Sequence, residues 1–275
     1  MQRPSLFKFK EHTLEFQEMS QGKKKMLCFN GYGKVAKDFE VYHDFFAKDI
    51  QAVVLHLPFH GNGDWYLQEK KANKQHNELL EAFFKHLKWE NEELHLFAYS
   101  IGARYTFALT ALFPSKIKSV YLLAPDGIYP NFISHYATFN KYGKKLMNGF
   151  ISHAGFIIFI LKFLNYFKIL SDNDFAFFMR KIKTKEDRVM LQKVWKEVYT
   201  TTPNFKEILA HPIFNKIEWH IFLGKDDKVF PYGRMKKLIP QKKNISIYSW
   251  QSGHAMLKES IGYKLSLTEI KITGQ

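Results

Sequence analysis

The chain has 275 residues, a formal net charge of +15 and an isoelectric point near 9.6. Its 46% hydrophobic and 24% charged content is that of a globular protein, long enough for one α/β domain with an insertion or for two small domains. The single cysteine, Cys28, excludes an intrachain disulfide, and its apolar surroundings mark it as a small buried thiol.

A strongly basic field favours anionic substrates, membrane surfaces or nucleic acid. No nucleic-acid motif accompanies the charge, so no nucleic-acid partner is expected. The start, Met1 to Lys8, lacks an apolar core of signal-peptide length, and a reducing, cytoplasmic setting is expected.

In chain order, residues 5–20 read as one or two short edge strands, with Leu14-Glu15-Phe16 alternating. Lys25–Phe29 is a buried strand, broken by Asn30-Gly31-Tyr32-Gly33, and a helix rich in Phe39, Tyr42, Phe45 and Phe46 follows. Ile50–Leu57 is the next strand, ending in Pro58-Phe59-His60-Gly61-Asn62-Gly63-Asp64. Ala72–Leu87 is an amphipathic helix with Leu79, Leu80, Phe83, Phe84 and Leu87 on one face. Leu94–Phe97 is a strand, and Ile101–Phe113 a helix stopped near Pro114. Ser119–Leu123 is a strand ending at Ala124-Pro125-Asp126-Gly127.

The alternation then fails over 128–214, which is aromatic and helical in pattern, and resumes with Ile217–Leu223. A helix near Tyr232–Ile239, the strand Ile245–Trp250 and a terminal helix complete the chain. Repeated strand–helix order implies an α/β fold, a mostly parallel sheet with helices on both faces. The core is then 1–127 with 215–275, and 128–214 is a helical insertion.

Within the insertion, Phe156, Phe159, Phe163 and Phe167 have helical spacing, fitting a helix over an apolar site. From Gly127 to Ser171 there is no Asp or Glu, but there are Lys141, Lys144, Lys145, Lys162 and Lys168. The plain reading is a cap packed through its aromatic residues with solvated lysines. Coverage of an apolar substrate with an anionic end, and peripheral contact with a membrane surface, are the two functional expectations.

The chemistry centres on Ala98-Tyr99-Ser100-Ile101-Gly102, between a strand and a helix. Small residues two positions either side of a serine allow a turn tight enough to expose its hydroxyl. Such a hydroxyl needs a base, and the base needs an orienting acid. In a parallel sheet both belong in loops at the carboxyl ends of strands.

His254, in Ser252-Gly253-His254-Ala255 after the last strand, fits the base. Asp227, in Gly224-Lys225-Asp226-Asp227-Lys228-Val229-Phe230-Pro231, fits the acid, with Asp226 and Asp126 as alternatives. The tetrahedral oxyanion needs two donors, for which the N–H groups of Ile101 and Tyr32 are suited. His56 and His60 stand at i, i+4, but no helix or acidic partner supports a zinc site there. No metal or cofactor is expected.

These residues together resemble the α/β-hydrolase superfamily along nearly the whole chain. Residues 30–33 are similar to its His-Gly-x-Gly oxyanion loop, and 58–64 to its Pro-Gly-His-Gly-x-Ser loop. Residues 98–102 match its nucleophile elbow, 224–231 resemble its Gly-x-x-Asp-x-x-Val-Pro loop, and Gly253-His254 resembles its catalytic histidine loop. The family's acid stands three residues after the glycine, which favours Asp227. Asn30 and Ala98 depart from its histidine and glycine.

The resemblance implies an α/β-hydrolase-like fold with a helical cap at 128–214. It also implies a serine hydrolase acting through Ser100, His254 and Asp227 on a carboxylic ester or thioester with an apolar acyl group. The same fold serves acyltransferases, carbon–carbon hydrolases, lyases and non-catalytic binding modules, which are the alternatives.

Overall fold

The structure, a computed structural model, describes residues 3–66, 73–128, 154–166, 184–201, 205–210 and 212–267, with 175, 179 and 182 besides. Eight strands form one sheet: β1 (Ser5–Phe9), β2 (His12–Glu18), β3 (Lys24–Phe29), β4 (Ile50–Leu55), β5 (Leu94–Tyr99), β6 (Ile117–Leu123), β7 (Glu218–Gly224) and β8 (Ile245–Trp250). Their spatial order is β1-β2-β4-β3-β5-β6-β7-β8. The β1–β2 and β2–β4 pairs are antiparallel, and the pairs from β4 through β8 are parallel.

The helices are α1 (His43–Phe46), α2 (Asn73–His86), α3 (Gly102–Leu112), α4 (Ala154–Tyr166), α5 (Lys185–Thr201), α6 (Phe205–Leu209), α7 (Tyr232–Leu238) and α8 (Glu259–Leu267). The run expected as one helix after β3 is a 3-10 turn over Ala36–Tyr42 that passes into α1. Its spacing explains this. Ala36, Phe39, Tyr42 and Phe45 recur every third residue and all are buried. A 3-10 turn stacks i and i+3 on one side, whereas an α-helix would rotate the stripe away.

Strand composition follows burial. β5 is buried at every position, as a central strand covered on both faces must be, and it reads as a continuous apolar run except for His95. The layer on one face is α3, which packs on β3, β5 and β6. On the other face, Phe39, Tyr42, Phe45, Phe46, Ile261 and Leu265 close over Met26, Cys28, Phe97 and Tyr121. Each such side chain contributes about 1.5–3 kcal/mol of burial free energy. Cys28 lies fully inside this layer, and burial pushes its thiol well above the ordinary value.

The register fixes where function can assemble. Phe29 is level with Ala98, Tyr99 with Leu123, Leu123 with Phe222, and Gly224 with Trp250. The carboxyl ends of β3, β5, β6, β7 and β8 therefore open along one edge of the sheet.

The chain divides into two compact units, 1–129 with 201–275, and 130–200. Residues 205–214, which the sequence groups with the insertion, fall in the unit that holds the sheet. There the Phe205 N–H donates to the Gly127 carbonyl (3.0 Å), and its ring meets those of Phe107 and Trp219. In the other unit, α4 exposes Phe159, Phe163 and Tyr166, and α5 buries Leu191, Val194 and Val198. The expected aromatic stripe is described only at Phe159 and Phe163. The side chain of Phe156, together with Phe167, Lys141, Lys144, Lys145 and Lys168, lies outside the described residues. Among the described residues, no helix is long and apolar enough to cross a membrane.

Candidate active site

Ser100 sits where β5 ends and α3 is about to begin. Its φ is +55°, in the left-handed region that non-glycine residues rarely adopt. Holding it there costs about 1–3 kcal/mol, and the surroundings enforce it. The Ser100 N–H donates to the Leu123 carbonyl (2.9 Å), and its own carbonyl accepts the N–H groups of Asp126 (3.0 Å) and Ala103 (3.1 Å).

The small neighbours are also required. A Cβ on Gly102 would lie 2.6 Å from the carbonyl oxygens of both Phe29 and Asn30. Ala98 is fully buried between Phe29 of β3 and Leu122 of β6.

Ser100 Oγ lies 2.9 Å from His254 Nε2, and His254 Nδ1 lies 2.9 Å from Asp227 Oδ2. Asp227 is buried, and its second oxygen accepts the N–H groups of Val229 (2.8 Å) and Phe230 (3.0 Å). Those amides leave Oδ2 aimed at the imidazole. The Asp227 contact fixes the histidine proton on Nδ1 and leaves Nε2 as an acceptor toward Ser100.

The two alternative acids face elsewhere. Asp226 accepts from Gln251 Nε2 (2.7 Å) at an exposed site, and Asp126 lies 3.3 Å from Arg104 Nε, both residues buried. The close approach of the acid and histidine loops needs Gly224, where a Cβ would meet the Ser252 carbonyl at 2.3 Å.

Tyr99 adds a group that the motif does not signal. Its hydroxyl donates to the His254 carbonyl (3.1 Å), and the two rings lie 5.7 Å apart. Phe230 meets the same imidazole edge-on from 5.3 Å. Burial raises the Tyr99 phenol well above its ordinary value, with the Asp227 charge adding to the rise, so the hydroxyl remains a donor.

The loop after β3 stands beside Ser100. A Cβ on Gly31 would lie 3.4 Å from Ser100 Cβ and 2.6 Å from the Tyr99 ring. Tyr32 follows it in that loop, and Ile101 is the cap residue of α3.

His56 and His60 contact this loop, and the acidic partner invisible near His56 in sequence comes from β2. Glu15 Oε2 accepts from His56 Nδ1 (3.0 Å) and from the Asn62 N–H (2.6 Å), and Oε1 accepts from Asn62 Nδ2 (3.1 Å). Burial alone would raise the Glu15 carboxyl, but the hydrogen bonds from Asn62 and His56 outweigh it and hold the pKa below the ordinary value. Gly61 passes this carboxylate with φ +60°, and a Cβ there would sit 1.8 Å from Oε2. Among the described residues, no group of three or more His, Cys, Asp or Glu is placed to hold a metal ion.

Neither a protein-family model nor a curated protein matches the sequence. Solved structures do match over nearly the whole chain. An α/β hydrolase enzyme, MGS-M2, from a Medee basin deep-sea metagenome library is 17% identical with a TM-score of 0.66, over 98% of this chain and 100% of that one. A thermophilic esterase from Thermogutta terrifontis is 12% identical with a TM-score of 0.56, over 92% of each chain. A membrane phospholipase A described as a bacterial virulence factor is 15% identical with a TM-score of 0.61, over 96% of this chain and 85% of that one.

The chain has the α/β-hydrolase fold. In this fold the candidate site occupies the carboxyl edge of the sheet, where β5 supplies Ser100, the β7 loop Asp227 and the β8 loop His254.

Proposed function

We propose that this α/β-hydrolase-fold protein is a serine hydrolase that cleaves a carboxylic ester or thioester through an acyl-enzyme. The observation that carries the reading is the unbroken hydrogen-bonded line from Ser100 Oγ through His254 to Asp227, with Asp227 Oδ1 tied to two amides.

In the proposed cycle, His254 Nε2 takes the hydroxyl proton as Ser100 Oγ attacks the substrate carbonyl. Asp227 stabilises the imidazolium that results. The N–H groups of Ile101 and Tyr32 receive the oxyanion. The imidazolium then protonates the leaving group, and a water activated by His254 releases the acid.

The names of the esterase and the phospholipase A among the similar structures support ester chemistry, and the aromatic composition of 128–214 supports an apolar acyl group. Ser100→Ala should abolish turnover of p-nitrophenyl esters of varied acyl length and labelling by a fluorophosphonate probe. Labelling of that variant at the wild-type rate would overturn the nucleophile assignment.

A further inference from the structure

The loop 30–36 is tied to the segment that follows β4 by three hydrogen bonds. Gly33 N–H donates to His60 Nε2 (3.0 Å), Ala36 N–H donates to His56 Nε2 (3.0 Å), and Leu57 N–H donates to Asn30 Oδ1 (2.9 Å). Asn30 Nδ2 in turn donates to the carbonyls of Gly31 (3.2 Å) and Lys34. An imidazole nitrogen that receives an N–H carries no proton. The proton of His60 therefore sits on Nδ1, which donates to the Pro58 carbonyl (2.9 Å), and that of His56 on Nδ1 toward Glu15. Each ring thus accepts through Nε2 and donates through Nδ1.

The consequence falls on two successive peptides. The Gly31–Tyr32 peptide is oriented from its carbonyl side, because Gly31 O accepts the Lys34 N–H (3.0 Å) and Asn30 Nδ2. In a trans peptide the Tyr32 N–H then points the opposite way. The next peptide, Tyr32–Gly33, is oriented from its amide side by His60. Gly33, at φ +65°, joins this peptide to the rest of the loop, and the His60 ring also meets the Tyr32 ring edge-on at 5.7 Å. His60 is 2% exposed, so water does not readily replace its acceptor nitrogen.

We propose that His60 is a positioning residue of the hydrolase: by accepting the Gly33 N–H it fixes the loop in the one geometry that presents the Tyr32 N–H to the oxyanion. The inference rests on the serine-hydrolase reading above. It gives the second histidine of the i, i+4 pair a role that is neither metal binding nor proton transfer to substrate, and it explains Asn30, whose amide both accepts and donates where an imidazole could not make all three bonds.

The test uses the full-length protein. His60→Leu removes the acceptor and keeps an apolar side chain; His60→Gln puts an amide oxygen near the place of Nε2. His60→Leu should lower kcat for a p-nitrophenyl ester about 10- to 100-fold with KM within about threefold. It should weaken a trifluoromethyl ketone inhibitor, which forms the oxyanion, by a similar factor. It should also raise deuterium uptake over 30–36, and His60→Gln should recover most of all three.

Unchanged kcat, inhibitor affinity and uptake in His60→Leu would overturn the proposal. So would a loss that His60→Gln does not recover and that tracks a fall in the melting temperature of the whole chain. Uptake reads the brace without turnover. A wild-type protein inert to esters and probe would sink the hydrolase reading, and the exchange data would still decide whether His60 holds the loop.

Discussion

At the scale of single residues, the adjacent pair Asp226-Asp227 shows how much a one-residue offset decides. The two carboxylates share a loop and a charge, yet Asp227 is buried against His254 and two amides while Asp226 meets Gln251 at the surface. Asp227→Asn should lower kcat on the order of 10⁴-fold, because the amide favours the wrong imidazole tautomer. Asp226→Asn should leave kcat within about twofold. Steady-state ester hydrolysis by the two variants checks this, and equal losses would return the assignment of the acid to open choice. Tyr99 and Asn30 belong to the same scale: both lie inside motifs, yet the motifs do not show that Tyr99 holds the His254 carbonyl or that Asn30 accepts the Leu57 N–H.

At the scale of elements, the site depends on how closely α3 approaches the end of β3. Gly102 opens α3 where the carbonyls of Phe29 and Asn30 pass, and there is no flexible side chain to give way. Gly102→Ala should therefore destabilise the fold by about 1–3 kcal/mol. It should also lower kcat more than stability alone explains, because the displaced Asn30 carbonyl opens the loop proposed to present the Tyr32 N–H to the oxyanion. Urea denaturation and single-turnover acylation measured on the same preparation test both halves; a variant as stable and as fast as wild type contradicts the close approach. The strand-to-helix pattern around Gly102 was legible in sequence. The 3-10 turn over 36–42 was less so, because its apolar period of three resembles a helix until its burial is seen.

At the scale of the whole molecule, the sheet buries titratable groups away from the edge that carries Ser100. His95 and His220 lie in β5 and β7, and burial, the first cause for each, lowers both to about 4, with nearby Lys24 and Lys118 adding to the effect at His95. His220 stacks on Tyr121 with centroids 4.7 Å apart. The unfolded chain binds protons at both sites near 6.5, while the folded chain stays neutral there until about 4. Stability should therefore fall as pH drops from about 6.5 to 4, by up to roughly 3 kcal/mol for each group. Glu15, whose folded pKa is depressed, adds stability above its unfolded value and loses it at lower pH. Urea midpoints between pH 7 and 4 should show the slope, and His220→Phe, which keeps the stack, should flatten it; a flat wild-type profile would contradict it. The sequence by itself determined the strand–helix alternation, the elbow at Ser100 and the chain order Ser, Asp, His, because periodicity and turn chemistry are local. Only the tertiary structure brought Asp227, the aspartate that the family resemblance favours, against His254, set Glu15 against His56 across 41 residues, and gave the Gly33 N–H beside Ser100 an acceptor in His60. Those contacts are set by strand register and loop approach, which bring together residues that no local pattern connects.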